Sequence, residues 1–267
     1  GIEGFFTRYH RIPWLGDQHP PLVPLLYGGA LHLFGVHLHI ARAVSFAFGL
    51  ATLSLTYLIG KKCYGEGTGL RAACLLLAMP FFFRIGATAL LDMPATFFFT
   101  LSIYLFLRLL QASSASVAAG VGLSIGAGLL CRYTVVFVYP VLASCASLYY
   151  KIGNKIPYFG IIAFLSVVPI SIWIFFAADN GVLAVQRPRL VEYTFYMLTS
   201  SDGLQRLLES LILRLPSGIG PALLPALTLG AFQLWRCRSQ ADLVMFSWVA
   251  GVFLPVMLML PGPRYFF

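Results

Sequence analysis

Charge is what this sequence has least of. Only 10% of its 267 residues are Asp, Glu, Lys or Arg, whereas a soluble domain carries roughly 25%, so the chain lacks the means to cover itself with a solvated surface. Acid is scarcer still, with nine Asp and Glu against 18 Lys and Arg and a formal net charge of +9. The cations stand singly or in pairs between apolar stretches instead of forming a patch. That dispersal excludes a nucleic-acid partner and suits topology signals and contacts to membrane lipid or phosphate. Cysteine is sparse as well: Cys63, Cys74, Cys131, Cys145 and Cys237 include no C-x-x-C pair, which argues against a zinc site or a disulfide framework. There is no Gly-rich dinucleotide fingerprint and no internal repeat. The first 19 residues carry Glu3, Arg8, Arg11 and Asp17 where a signal peptide would have an apolar core.

What fills the space is hydrocarbon. The chain is 59% hydrophobic with a mean hydropathy of +0.85, and the fold class this predicts is an all-α polytopic membrane protein. A spanning helix needs about 20 mostly apolar residues; by that rule spans are expected at 39–60, 67–83, 92–110, 116–131, 134–150, 157–178, 212–235 and 241–260. The stretch from Pro20 to Phe34 is too short to span, and its prolines suit a helix lying at the interface. If the first span runs inward, Lys61, Lys62 and Arg71, then Arg108, then Lys151 and Lys155, then Arg236 and Arg238 fall in successive cytoplasmic connections, as the positive-inside rule requires. The expected organisation is one membrane-embedded domain over 1–267, incomplete at both ends and preceded by a further span. Residues 1–38 form an external loop with a juxtamembrane helix, and 179–214 form a second external loop. In that second loop Leu204, Leu207, Leu208, Leu211 and Ile212 recur at the spacing of an interfacial helix.

Ionisable residues at membrane depth are costly, so each needs a reason. Asp92, in "TALLDMPATFFF", opens an apolar run with Pro94 two residues on; it can cap that helix, or orient a substrate or metal from a rigid helix start. Arg132, in "GLLCRYTVVF", has no acid near it in sequence. It either reaches for the interface or binds an anion, for which the planar guanidinium is suited. Arg264 and Tyr265, in "LPGPRYFF", pose the same choice between an aromatic-belt anchor and a site. Glu3 is an exposed acid unless the chemistry uses it. All five histidines, His10, His19, His32, His37 and His39, lie in the first 39 residues, but their spacings match no zinc pattern. Asp17 and His19 precede Pro20 and Pro21, whose fixed backbone marks where the chain leaves water.

Taken in order, "HPPLVPLL" followed by "LFG", "ARAVSFAFGLATLSLTYLIGKKCYG", "LLDMPATFFF", "GVGLSIGAGLLCRYTVVFVYP" and the terminal "PRYFF" resemble the membrane-embedded GT-C glycosyltransferases of the dolichyl-phosphate-mannose-protein mannosyltransferase type. That group includes the bacterial aminoarabinose transferases and related lipopolysaccharide-core and cell-wall transferases. The resemblance spans most of the chain. It implies a GT-C-like helix bundle with juxtamembrane helices in its external loops, in a bacterial plasma membrane or the endoplasmic reticulum. It also implies transfer of a sugar from a polyprenyl- or dolichyl-phosphate donor to a glycan, lipid or protein hydroxyl on the external or lumenal side, with inversion. Family members carry an Asp-Glu pair in the first external loop as the expected base. Here "IEGFF" occupies that place, with Glu3 matching the second acid and Ile2 standing where the aspartate is expected. The site so implied has Glu3 as base, Asp92 as orienting acid or metal partner, Arg132 or Arg264 at the phosphate, and His19 and Tyr265 as substrate contacts. No metal ligand set is assigned, and a divalent cation is left open. A secondary transporter, or a catalytically degenerate scaffold that has lost the aspartate, is the rival reading.

Overall fold

The computed structural model describes residues 20–148, 156–179 and 219–236, and between 200 and 249 the further positions 200, 201, 205, 209, 239, 241, 242, 244–246, 248 and 249. The described residues contain helices and no strand. In chain order the helices are α1 (Leu22–Phe34), α2 (Leu38–Tyr64), α3 (Glu66–Leu77), α4 (Pro80–Gly86), α5 (Asp92–Gln111), α6 (Ala115–Cys131), α7 (Val138–Leu148), α8 (Ile156–Asp179) and α9 (Leu224–Arg236). Short 3₁₀ turns at Tyr133–Phe137 and Pro221–Leu223 lead into α7 and α9.

Three of these, Leu38–Tyr64, Asp92–Gln111 and the Pro157–Phe175 part of α8, are long and apolar enough to cross a membrane. Apolar α1, α6 and α7 are shorter. The run expected as one span over 67–83 is not one straight helix: α3 and α4 meet at a 71° bend. Met79 is extended at φ −73°, ψ 120°, and Pro80 begins α4. The physical reason is local, since proline offers no N–H to the preceding turn and excludes the helical conformation from the residue before it.

Contacts fix the relative directions. Gly49 faces Met93 and Lys62 meets Gln111, so α2 and α5 run parallel. Ser102 pairs with Ser124 and Gly120 lies against Leu105, so α6 returns antiparallel to α5. Gly122 touches Ile162 and Gly126 touches Leu165 and Pro169, so α8 runs with α6. One end of the bundle therefore gathers the start of α5, the first half of α2 and the ends of α6 and α8. The opposite end gathers Lys61, Lys62, Arg108 and Gln111.

The core lies among α5, α6, α7 and α8, where Ile103, Phe106, Val121, Ile125, Val141 and Trp173 are buried. Two neighbouring glycines explain how tightly α6 and α8 approach. A Cβ on Gly122 would lie 2.8 Å from Leu165 Cβ and 2.9 Å from the Ile162 carbonyl oxygen, and one on Gly126 would lie 3.0 Å from the Leu165 carbonyl oxygen. This is the small-xxx-small packing by which helices in lipid associate without a hydrophobic force between them. Hydroxyl bonds add direction: Ser124 Oγ donates to Ser102 Oγ at 3.1 Å and Tyr139 Oη to Ser166 Oγ at 2.7 Å. Outside, Phe164 and Phe175 are 65% and 74% exposed, a surface that hydrocarbon can cover and water cannot.

Several expectations fall on residues outside those described. They are Glu3, Asp17, His19, Arg264 and Tyr265, most of the loop 179–214 with its interfacial helix, and most of the span 241–260.

Candidate functional site

Asp92 and Arg132, read separately from the sequence 40 residues apart, meet at the end of the bundle opposite Lys62 and Gln111. Asp92 Oδ1 pairs with Arg132 Nη1, and the side chains keep 35% and 16% of their surface exposed. The guanidinium is thus largely withdrawn from solvent while the carboxylate stays within reach of it.

Each partner is held by its backbone. Asp92 is the first residue of α5, where the positive end of the helix favours a carboxylate, and Thr96 Oγ1 bonds its carbonyl at 2.8 Å. The capping role considered for Asp92 is not what the structure shows. The cap position is Leu91, itself near-helical at φ −67°, ψ −22°, with no side-chain cap bond, and the carboxylate is engaged by Arg132 instead. Arg132 lies in an extended break, φ −159°, ψ 132°, between α6 and the following 3₁₀ turn. Its N–H donates to the Gly128 carbonyl at 2.8 Å and its carbonyl accepts from Val135 at 3.1 Å. Two short hydrogen bonds therefore fix the one extended residue between two helical segments. Behind it Tyr133 Oη accepts from Trp173 Nε1 on α8 at 3.0 Å.

A residue the sequence did not single out joins α1 to this end. Tyr27 Oη donates to the Leu90 carbonyl at 2.8 Å, two residues before Asp92. Burial raises the pKa of the phenol despite a lowering hydrogen bond with Ser45, so Tyr27 remains a donor at neutral pH. The available signal was a polar-tipped aromatic on a short apolar helix, which needs a partner when it is buried. Ser45, wholly buried on α2, also donates to the Ile85 carbonyl at 3.4 Å, which ties α2 to the end of α4 just ahead of Asp92's loop.

A divalent cation does not fit the described residues. Among them no group of three or more His, Cys, Asp or Glu could hold a metal ion, and Arg132 puts a positive charge where such an ion would sit against Asp92. His37 and His39 stack on each other at 5.1 Å and 10° without joining the pair. What the arrangement can do is hold a carboxylate in one orientation beside a guanidinium, and guanidinium groups accommodate phosphate oxygens through planar, bidentate donors.

Apolar helices packed through glycine, clothed in exposed phenylalanine and carrying an ion pair at one end define an integral membrane protein. A family model described as dolichyl-phosphate-mannose-protein mannosyltransferase matches residues 18–173, more than half of the chain, and the protein belongs to that family. It is accordingly a membrane glycosyltransferase of the kind that uses a lipid-linked sugar. No curated protein and no solved structure matches the chain. The matched segment contains Asp92 and Arg132, and it begins after Glu3 and ends before Arg264.

Proposed function

We propose that the protein transfers a sugar from a polyprenyl-phosphate carrier to an acceptor hydroxyl of a glycan, lipid or protein on the external or lumenal face of a multi-pass bundle. The reading rests chiefly on the Asp92–Arg132 pair lying at the bundle end opposite Lys61, Lys62 and Arg108. If the basic end is cytoplasmic, the pair is external.

In this mechanism the acceptor oxygen attacks the anomeric carbon as the carbon–oxygen bond to phosphate breaks. The bonding electron pair leaves on the phosphate, and one displacement inverts the centre. Glu3 takes the hydroxyl proton as attack proceeds. Arg132, with Arg264, stabilises the charge that develops on the departing phosphate. Asp92 holds Arg132 in place and orients the acceptor, and His19 and Tyr265 contact substrate.

The test is transfer of radiolabelled sugar from a polyprenyl-phosphate donor by the full-length protein, its Glu3→Gln form and its Asp92→Asn form. Transfer by the parent with a loss of about 100-fold or more in each variant is the expected result. Undiminished transfer by both variants would remove the site assignment, and an inactive parent would favour the degenerate-scaffold reading.

A further inference from the structure

The opposite end of the bundle carries a second cluster that the glycosyl-transfer reading does not use. Lys62, partly buried near the end of α2, donates through Nζ to Gln111 Oε1 at the end of α5. Gln111 and Arg108 are three residues apart on α5 and so share a face, which places the exposed Arg108 on the side of α5 that Lys62 meets.

Two acids described at this end are committed elsewhere. Glu66 accepts from Tyr57 Oη at 2.8 Å and pairs with Lys61 at 3.3 Å. Asp242 accepts from Tyr64 Oη at 2.8 Å and from Ser239 Oγ at 2.6 Å. Among the described residues no carboxylate pairs with Lys62 or Arg108. Two cations thus converge, on packed parallel helices, where an apolar surface meets water.

We propose that Lys62 and Arg108 form a binding site for a phosphate group, namely the headgroup of an anionic phospholipid in the leaflet at this end of the bundle, with Gln111 positioning the ammonium. The chemistry is complementary. A phosphodiester placed between the two cations relieves their mutual repulsion, accepts bidentate donors from the guanidinium, and leaves its acyl chains against the apolar flanks of α2 and α5. Clustered basic residues at the membrane boundary draw anionic lipid by about fivefold in affinity per cation.

The experiment uses the full-length protein in nanodiscs of zwitterionic lipid, titrated with phosphatidylglycerol and read by native mass spectrometry. One or more retained anionic lipids, with affinity falling about fivefold in Lys62→Gln and again in Arg108→Gln, is the expected result. Lys61→Gln should change affinity less than twofold, because Lys61 is already paired with Glu66. Equal retention of phosphatidylglycerol and phosphatidylcholine, or equal losses in all three variants, would overturn the proposal by reducing the effect to general surface charge. A parallel titration with inorganic phosphate separates the sources. Competition at low millimolar concentration would assign the site to soluble phosphate and overturn the lipid assignment, and no competition supports the lipid. The melting temperature of each variant, expected within 2 °C of the parent (roughly the shift of a change below 1 kcal/mol), guards against misfolding as the cause.

Discussion

Breaking the Asp92–Arg132 pair should cost stability unequally from its two sides, and the asymmetry can be worked from exposure. Removing one partner of a fully buried pair costs about 3–5 kcal/mol, whereas exposed pairs are worth about 0–1 kcal/mol. Arg132 keeps 16% of its side-chain surface and Asp92 35%, so the pair lies between these limits. Asp92→Asn strands the more buried charge, a guanidinium with little access to water, and should cost about 3 kcal/mol. Arg132→Gln strands a carboxylate that still reaches solvent and sits at the positive end of α5, so about 2 kcal/mol is expected. The double variant should cost less than the sum, leaving a coupling of about 1–2 kcal/mol. Reversible unfolding of the purified protein in mixed micelles measures all three. Losses that add to within about 0.5 kcal/mol, or a greater loss for Arg132→Gln than for Asp92→Asn, would refute the reasoning. Arg132→Lys adds a check on geometry, since it keeps the charge but not the planar fork, and it should recover stability better than transfer activity.

Gly122→Ala should destabilise by about 1–3 kcal/mol, because its Cβ meets the Ile162 carbonyl oxygen at 2.9 Å; Gly160→Ala, with nothing within 4 Å, should be neutral or stabilising by up to about 1 kcal/mol, and unfolding of both in the same micelles decides it. Tyr27→Phe removes the bond to the Leu90 carbonyl and should cost about 1 kcal/mol, with sugar transfer slowed more than donor affinity, as a comparison of kcat with KM would show. In a background without reactive native cysteines, Leu90→Cys should react with a membrane-impermeant maleimide from the outside and Ser113→Cys only after permeabilisation. Labelling of both from one side would contradict the proposed crossing of α5.

The helices that were legible in the sequence are those in which one long apolar run meets no interruption. The expected limits 39–60, 92–110 and 157–178 lie within a few residues of α2, α5 and α8, because a run of that length has no competing way to satisfy its backbone in lipid. The bend at Pro80 escaped for the complementary reason. Hydropathy continues unchanged through "LLLAMPFFF", and an average over a window does not register the one residue that lacks an N–H. Asp92 and Arg132 were both legible as residues needing a reason, yet nothing local relates positions 40 apart. Their pairing follows from antiparallel α5 and α6, and that from the Gly120 and Ser124 contacts between them. A still longer separation, 63 residues, hid Tyr27, whose partner is a backbone carbonyl that no side-chain pattern encodes.

The bend at Pro80 also acts as a ruler. A helix the length of α5, 20 residues, rises about 30 Å, which equals a typical hydrocarbon thickness. The 12 residues of α3 rise only about 18 Å before the chain turns away. The turn is nonetheless satisfied within the protein: the Ala78 and Met79 N–H groups donate to the Cys74 and Leu76 carbonyls, and Gly220 lies against Pro80, as irregular backbone at membrane depth requires. The chain can thus change direction partway along a crossing without leaving a bare backbone group to the acyl chains. A ruler of about 18 Å followed by a turn is therefore a way of returning the chain, through α4, toward the loop that carries Asp92.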